Sequence, residues 1–297
     1  MLNLELSRIK NSLSQDVLNG QTITADVLRL DLIHPLISGN KYFKLKEYLK
    51  EAVASNSKTV ITFGGAFSNH IVATAAACNV IGLQSVGIIR GEEPSVLSTT
   101  LLKAKELEMD LVYISREAYK SKEIPNKVWQ QYPGSYIIPE GGYGIKGVEG
   151  AKEILGNDTL SYTHIIAATG TGTTLAGLIE ASQKEQQIIG ISVLKNNFSL
   201  SGEINKLLPD PKKDCFKLMH EYHFGGYAKF NTDLIQFMNL WYMHTAIPSD
   251  FVYTAKVFYA FAELCKQGFF PDKSKILLIH SGGLQGNLSL PKRTLIF

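Results

Sequence analysis

From Lys58 onward the chain alternates short runs rich in β-branched residues with longer segments whose apolar residues recur at helical spacing, and Gly, Asn or Ser joins them. The strand candidates are "KTVITF", "QSVGIIR", "DLVYIS", "SYIIP", "THIIAAT", "QIIGISVL" and "KILLIH". Helix candidates begin near Ser68, Ser95, Ser115, Gly147, Gly172, Ser199, Thr232 and Thr254, many with a Ser or Thr able to cap free backbone N–H groups. Such alternation predicts an α/β protein, with open, twisted, mainly parallel sheets covered by helices on both faces.

Four of the runs precede the Gly-rich connection "PEGGYGIKG", Pro139 to Gly147, which reads as a boundary. The expected division is a small α/β domain over 44–146 and a larger one built from 1–43 plus 147–297. A cleft between two α/β units is a common place for a cofactor.

With 45% hydrophobic and 19% charged residues in 297, the chain can bury a large core or two smaller ones. The net charge of +3 is small, and the lysines are spread along the chain, which argues against nucleic acid as the main partner. Cys78, Cys215 and Cys265 lie far apart with no C-x-x-C pair, so neither a disulfide framework nor a metal site is expected. The start "MLNLELSRIKNSLSQ" mixes charge among its apolar residues, unlike a signal peptide, and no apolar run approaches the roughly 20 residues of a membrane span. A cytoplasmic protein is expected.

In "THIIAATGTGTTLAGL" an apolar strand runs into Gly170-Thr171-Gly172-Thr173-Thr174 and then a helix. Successive N–H groups and the helix N-terminus there point at one spot, which suits a phosphate; a tight turn without a ligand is the structural alternative. A dinucleotide site would need a third Gly where Leu175 stands and a carboxylate ending the next strand, which instead reads "ISVLKNN". A small phosphate ester is therefore preferred.

A second junction, "VITFGGAFSNH", brings Ser68 and Asn69 to the start of an Ala-rich helix, where they could meet a carboxylate or phenolate oxygen. Taken alone, Ser68 reads as an N-cap and His70 as a hydrogen-bonded structural group. Asp250, Tyr253 and Thr254 mark a third junction in "SDFVYTAKVFYAF", and Ser281-Gly282-Gly283 in "ILLIHSGG" a fourth. All lie at carboxyl ends of strands or starts of helices, where open α/β sheets place ligands. The stretch "LIHPLISGNKYFKLKEYLKEA" holds Lys41, Lys44, Lys46 and Lys50. Composition alone would make these a solvated helix face.

In order and spacing, "SGNKYFKLKEYL", "GGAFSNH", "IPEGGYGIKG", "ATGTGTTLAGL", "FVYTAKVFY" and "LLIHSGG" resemble the D-cysteine desulfhydrase and 1-aminocyclopropane-1-carboxylate deaminase family. These are pyridoxal 5'-phosphate enzymes of the tryptophan synthase β-subunit fold, also called fold type II. The resemblance implies that Lys41 after the Ser38-Gly39-Asn40 turn bonds the cofactor and removes the substrate's α-proton, with Lys44 as a positive neighbour that lowers its pKa. It implies that Asn69 meets the cofactor's phenolic oxygen and Ser68 the substrate carboxylate. Gly170, Thr171, Gly172, Thr173 and Thr174 would hold the phosphate. Tyr253 would lie over the substrate, Thr254 would partner the pyridine nitrogen, and Tyr227 in "HFGGYAKFN" would be a second active-site tyrosine. The deaminase branch carries Glu at the Thr254 position, so Thr favours β-elimination from a small amino acid, giving an α-keto acid and ammonia. A homodimer is implied as well.

The chain departs from the family pattern at Tyr42-Phe43, Phe67, Thr173, Ala255 and Leu284-Gln285, most of them positions expected to line the cofactor or substrate space. Deamination of 1-aminocyclopropane-1-carboxylate and amino-acid racemisation stay open on the same scaffold. A Rossmann-type dehydrogenase and a non-catalytic amino-acid sensor are the alternatives of other classes.

Overall fold

The computed structural model describes residues 9–15, 17–18, 20, 22–37 and 39–297. Ser38 and the first eight residues, to which the signal-peptide reading in part refers, lie outside the described residues. Strands β1 (Lys10–Ser12) and β2 (Thr24–Arg29) open the chain, followed by helix α1 (Asn40–Ala54). Then come β3 (Thr59–Gly64), α2 (Asn69–Ile81), β4 (Gln84–Arg90), α3 (Thr99–Glu106), β5 (Met109–Ile114), α4 (Arg116–Lys120), α5 (Asn126–Gln131) and β6 (Tyr136–Ile138). The rest comprises α6 (Ile145–Lys152), β7 (His164–Thr169), α7 (Thr173–Ala181), β8 (Gln187–Ser192), α8 (Leu200–Asn205), β9 (Phe216–Met219), α9 (Thr232–Thr245), α10 (Thr254–Lys266) and β10 (Lys275–His280).

Two sheets result. One has the order β5-β4-β3-β6 and is parallel throughout; the other runs β1-β2-β10-β7-β8-β9, with β1–β2 its one antiparallel pair. The mixed α/β, mainly parallel architecture read from the alternation is present. Every residue of β3 and β7 is buried, the pattern of a strand covered on both faces. Strands β1, β2 and β9 were not anticipated. They are short or carry polar residues, and β1 and β9 lie at sheet edges, where one side is left to solvent.

Local chemistry starts the helices largely where expected. Ser98, Ser115 and Asn231 each accept from the backbone N–H three residues on, at 3.2, 3.2 and 3.0 Å. The helix expected near Ser95 begins only after Ser98 for this reason. Ser68 holds the N-cap position of α2 without such a bond, so its hydroxyl is not spent on the helix.

Helix α1 buries Tyr42, Phe43, Leu45, Tyr48 and Leu49, and also the charged Lys44. Its backbone meets α6 directly: a Cβ on Gly150 would stand 1.9 Å from the Phe43 carbonyl oxygen. Lys50 lies on the solvated face as expected, whereas Lys46 is half-buried and ion-paired with Glu153 at 2.6 Å. The four strands between Thr59 and Ile138 form one sheet and the remainder the other, while the expected division points at 43/44 and 146/147 fall inside α1 and α6.

Candidate active site

At the carboxyl ends of both sheets the chain leaves a cavity of about 200 Å³. Its wall takes Asn40, Lys41 and Lys44 from the start of α1, Ser68, Asn69 and His70 from the β3–α2 junction, and Glu140 and Gly141 from the turn after β6. The β7–α7 turn supplies Gly170, Thr171, Gly172 and Thr174, the turn after β10 supplies Ser281, Gly282 and Gly283, and Tyr227 and Tyr253 close it from the C-terminal half. Lys41, Lys44, Ser68, Asn69, Gly170, Thr171, Gly172, Thr174, Tyr227 and Tyr253 are thus brought together from stretches far apart in the chain.

Thr173 and Thr254 stand behind the wall, both with no accessible surface. Thr173 places its hydroxyl 3.4 Å from that of Thr171. Thr254 belongs to a closed set with Asp250: it accepts from the Asp250 N–H at 2.7 Å and donates to Asp250 Oδ1 at 2.8 Å. Asp250 also accepts from the N–H groups of Val252, Tyr253 and Thr254, each at 2.9 Å, and so fastens the start of α10. The Thr254 hydroxyl hydrogen is therefore committed to Asp250.

Two lysine amines line one cavity. Burial pushes Lys41 down to about 8, with the Glu140 carboxylate pulling the other way. Lys44 is 2% exposed and makes no hydrogen bond or ion pair among the described residues. Burial and then the charge of Lys41 hold it well below the usual lysine range. The charge of Lys41 thus contributes to the lowering of Lys44, whereas burial leads the lowering of Lys41.

His70 is neutral, its pKa driven well below the usual histidine range by burial and then by the two lysines. The Thr62 hydroxyl donates to the Ile138 carbonyl at 2.8 Å, so it accepts from His70 Nε2 at 2.8 Å. That fixes the tautomer and leaves His70 Nδ1 a buried lone pair without a partner, as is Asn69 Oδ1. Helix α7 enters with Gly172 at φ +86° and no side-chain cap, so its first N–H groups are orphan donors. Asn40 Nδ2 donates to the Thr174 hydroxyl at 2.8 Å, which frees the hydroxyl hydrogen for the cavity.

A buried amine, a row of orphan N–H groups and a free hydroxyl converge as donors on one spot, which suits a phosphate ester. The neighbouring amine at about 8 is a nucleophile suited to an aldehyde. Both halves of pyridoxal phosphate are met by residues of this cavity.

Two mainly parallel sheets with such an amine and such a turn between them suit a pyridoxal-phosphate site. The chain belongs to the family described as pyridoxal-phosphate dependent enzyme, whose profile matches residues 22–282. It is 29% identical over 283 residues to a Pyrococcus horikoshii protein provisionally named 1-aminocyclopropane-1-carboxylate deaminase, covering 89% of this chain and 86% of that one. It is 30% identical over 281 residues to the mitochondrial bifunctional D-cysteine desulfhydrase/1-aminocyclopropane-1-carboxylate deaminase of Arabidopsis thaliana, covering 84% and 70%. A crystal structure of an ACC deaminase homologue superposes with a TM-score of 0.83 at 26% identity, covering 96% of this chain and 91% of that one.

Glu140 and Asn40 line the cavity without having been singled out from the sequence as site residues, and Gln285, one of the departures expected near the cofactor or substrate, lines it too. Asn40 lay in view inside "SGNK". Glu140 was hidden in a segment read as a domain boundary, and Gln285 belongs to a departure whose consequence only the fold reveals.

Proposed function

We propose that the chain is a lyase acting on a small amino acid by β-elimination, in the manner of a D-cysteine desulfhydrase. With D-cysteine the balance is one substrate and one water to pyruvate, hydrogen sulfide and ammonia. The observation that carries the reading is the Lys41 amine, lowered to about 8 and set in one cavity with Ser68, Asn69 and the Gly170–Thr174 turn. The names of the relatives from Pyrococcus horikoshii and Arabidopsis thaliana support it at the level of substrate class.

The α7 N-terminus, the Thr174 hydroxyl and Lys44 would hold the cofactor phosphate, and Asn69 would meet its phenolic oxygen. When bound, pyridoxal phosphate supplies an aldehyde for the substrate amine and a ring that stores the electron pair left by a broken α-C–H bond. Ser68, with a hydroxyl not used in capping, would bind the substrate carboxylate at the start of α2. Lys41 Nζ, its pKa lowered to about 8 and so far more readily unprotonated near neutral pH than an ordinary lysine, would take up the α-proton. Tyr227 and Tyr253 are both raised by burial and so keep their phenolic hydrogens, which suits donation to a departing thiolate. Their rings meet edge to face with centroids 6.1 Å apart.

A cytoplasmic homodimer and a division into small and large domains at 44–146 complete the proposal. No helix among the described residues is long and apolar enough to cross a membrane. Ammonia, sulfide and keto-acid release from D-cysteine, L-cysteine, D-serine and 1-aminocyclopropane-1-carboxylate tests it. Sulfide and pyruvate from D-cysteine are expected; release from the cyclopropane substrate alone would replace β-elimination by ring opening.

A further inference from the structure

The cavity does not account for Lys256. It is the third residue of α10, it has no accessible surface, and its ammonium donates to the Gly226 carbonyl oxygen at 2.8 Å. A buried ammonium held by one neutral acceptor is a poor way to stabilise a fold, since an apolar side chain of the same length fills the space without desolvating a charge. The position therefore calls for a reason beyond packing.

Gly226 precedes Tyr227 in a loop whose backbone is held open by unusual angles. Phe224 and Ala228 take φ of +50° and +52°, values an L side chain rarely adopts, and Gly225 and Gly226 lie at +92° and +117°. The loop is fastened at both ends to the region around α10: Phe224 packs edge to face on Tyr259 at 4.8 Å, and Phe230 on Phe251 at 5.1 Å. Tyr227 itself is 46% exposed and its ring touches Tyr253 edge to face, so the backbone beside it shares in setting its place. Between the two aromatic anchors, the Lys256–Gly226 bond is the polar tie from α10 to the backbone beside Tyr227.

We propose that Lys256 is a positioning residue, which through the Gly226 carbonyl holds the Phe224–Ala228 loop in its strained form and so keeps the Tyr227 phenol over the cavity. The nearby Asp250 carboxylate favours the charged amine, while burial lowers it to about 8. The effect on turnover rests on the proposed amino-acid lyase reading; the effect on the loop backbone does not.

The test compares Lys256→Met, of similar length without a donor, with Lys256→Gln, which keeps one, in the full chain. In cofactor-free protein, amide hydrogen exchange over residues 223–229 should quicken about tenfold or more in Lys256→Met, with β7 and β10 unchanged, and recover in part in Lys256→Gln. With pyridoxal phosphate and D-cysteine, Lys256→Met should lower kcat about tenfold or more and leave the cofactor's visible band in place. In a Tyr227→Phe background the same substitution should cost little more, because both act through one phenol. Unchanged loop exchange in folded Lys256→Met overturns the proposal, as do fully additive effects with Tyr227→Phe. If neither variant folds, Lys256 is structural and the proposal is likewise overturned. If no variant and no wild-type protein acts on any amino acid, the lyase reading has failed and the exchange result still decides this one.

Discussion

Asn40 Nδ2 donates to the Thr174 hydroxyl across 2.8 Å, joining the first turn of the helix that carries Lys41 to the turn proposed to cradle the phosphate. One bond orients a donor and fixes the distance between the two halves of the cofactor site. Asn40→Ala should weaken pyridoxal-phosphate binding by about 1 kcal/mol, roughly fivefold in Kd, as read by absorbance titration of cofactor-free protein.

Burial of the Lys41 amine leaves a signature in stability. Its pKa is about 8 in the folded chain against an ordinary 10.5, so between those values the unfolded chain binds more protons and stability rises with pH. Below pH 8 the cost is present in full, about 2 kcal/mol after allowing for the amine's partial exposure. Denaturant unfolding of cofactor-free protein should show the wild type gaining on Lys41→Met from about pH 8 toward 10.5, and Lys41→Met the more stable of the two at pH 7.

Glu140 opposes that burial. Its carboxylate raises the Lys41 pKa, so Glu140→Gln should carry the amine below its present value of about 8. The pH dependence of trinitrobenzenesulfonate labelling at Lys41, followed by peptide mass spectrometry of cofactor-free protein, reads the shift directly. An unchanged midpoint would remove Glu140 from the electrostatics of the site.

Thr254 bears on the deaminase alternative. Its hydroxyl both accepts from and donates to Asp250 with no exposed surface, so Thr254→Val should cost about 1–3 kcal/mol by leaving the Asp250 N–H without an acceptor. Thr254→Glu, the residue of the resembled deaminases, would bring a second carboxylate against Asp250 and should cost more than Val. Thermal unfolding of the two variants ranks them; a Glu variant as stable as wild type would mean that the pocket has room and a partner for it.

Gly39 tests how the amine is seated. At φ +64°, a Cβ there would stand 1.8 Å from the Ser281 carbonyl oxygen, backbone against backbone. Gly39→Ala must push α1 away from the turn after β10. We expect a loss of about 3 kcal/mol or more, a Tm lower by roughly 6 °C or more, and weaker cofactor binding together.

The parts of the site legible in the sequence are those that local chemistry dictates. A buried strand running into "TGTGTT" must turn tightly and point N–H groups at one place, and it does so at Gly172. The resemblance selected Lys41 from four lysines, and the cavity contains it. What escaped depends on depth and on distant neighbours. Whether Lys44 depresses Lys41 or the reverse is decided by which amine is further from water, and no spacing encodes that. That Thr254 gives its hydroxyl hydrogen to Asp250, four positions earlier, is likewise visible only in the folded turn. Strand β2 went unread because its sequence "TADVLR" becomes a strand by pairing with β10, at the far end of the chain.

The close approach of Gly39 to Ser281 also orders events in time. Among the groups that enclose Lys41 are those of the turn after β6 and of the turn after β10, both far from it in the sequence. Until the last of them has been synthesised and docked, the side chain is an ordinary, protonated lysine with little appetite for an aldehyde. The reactive amine thus comes into being only with the folded site.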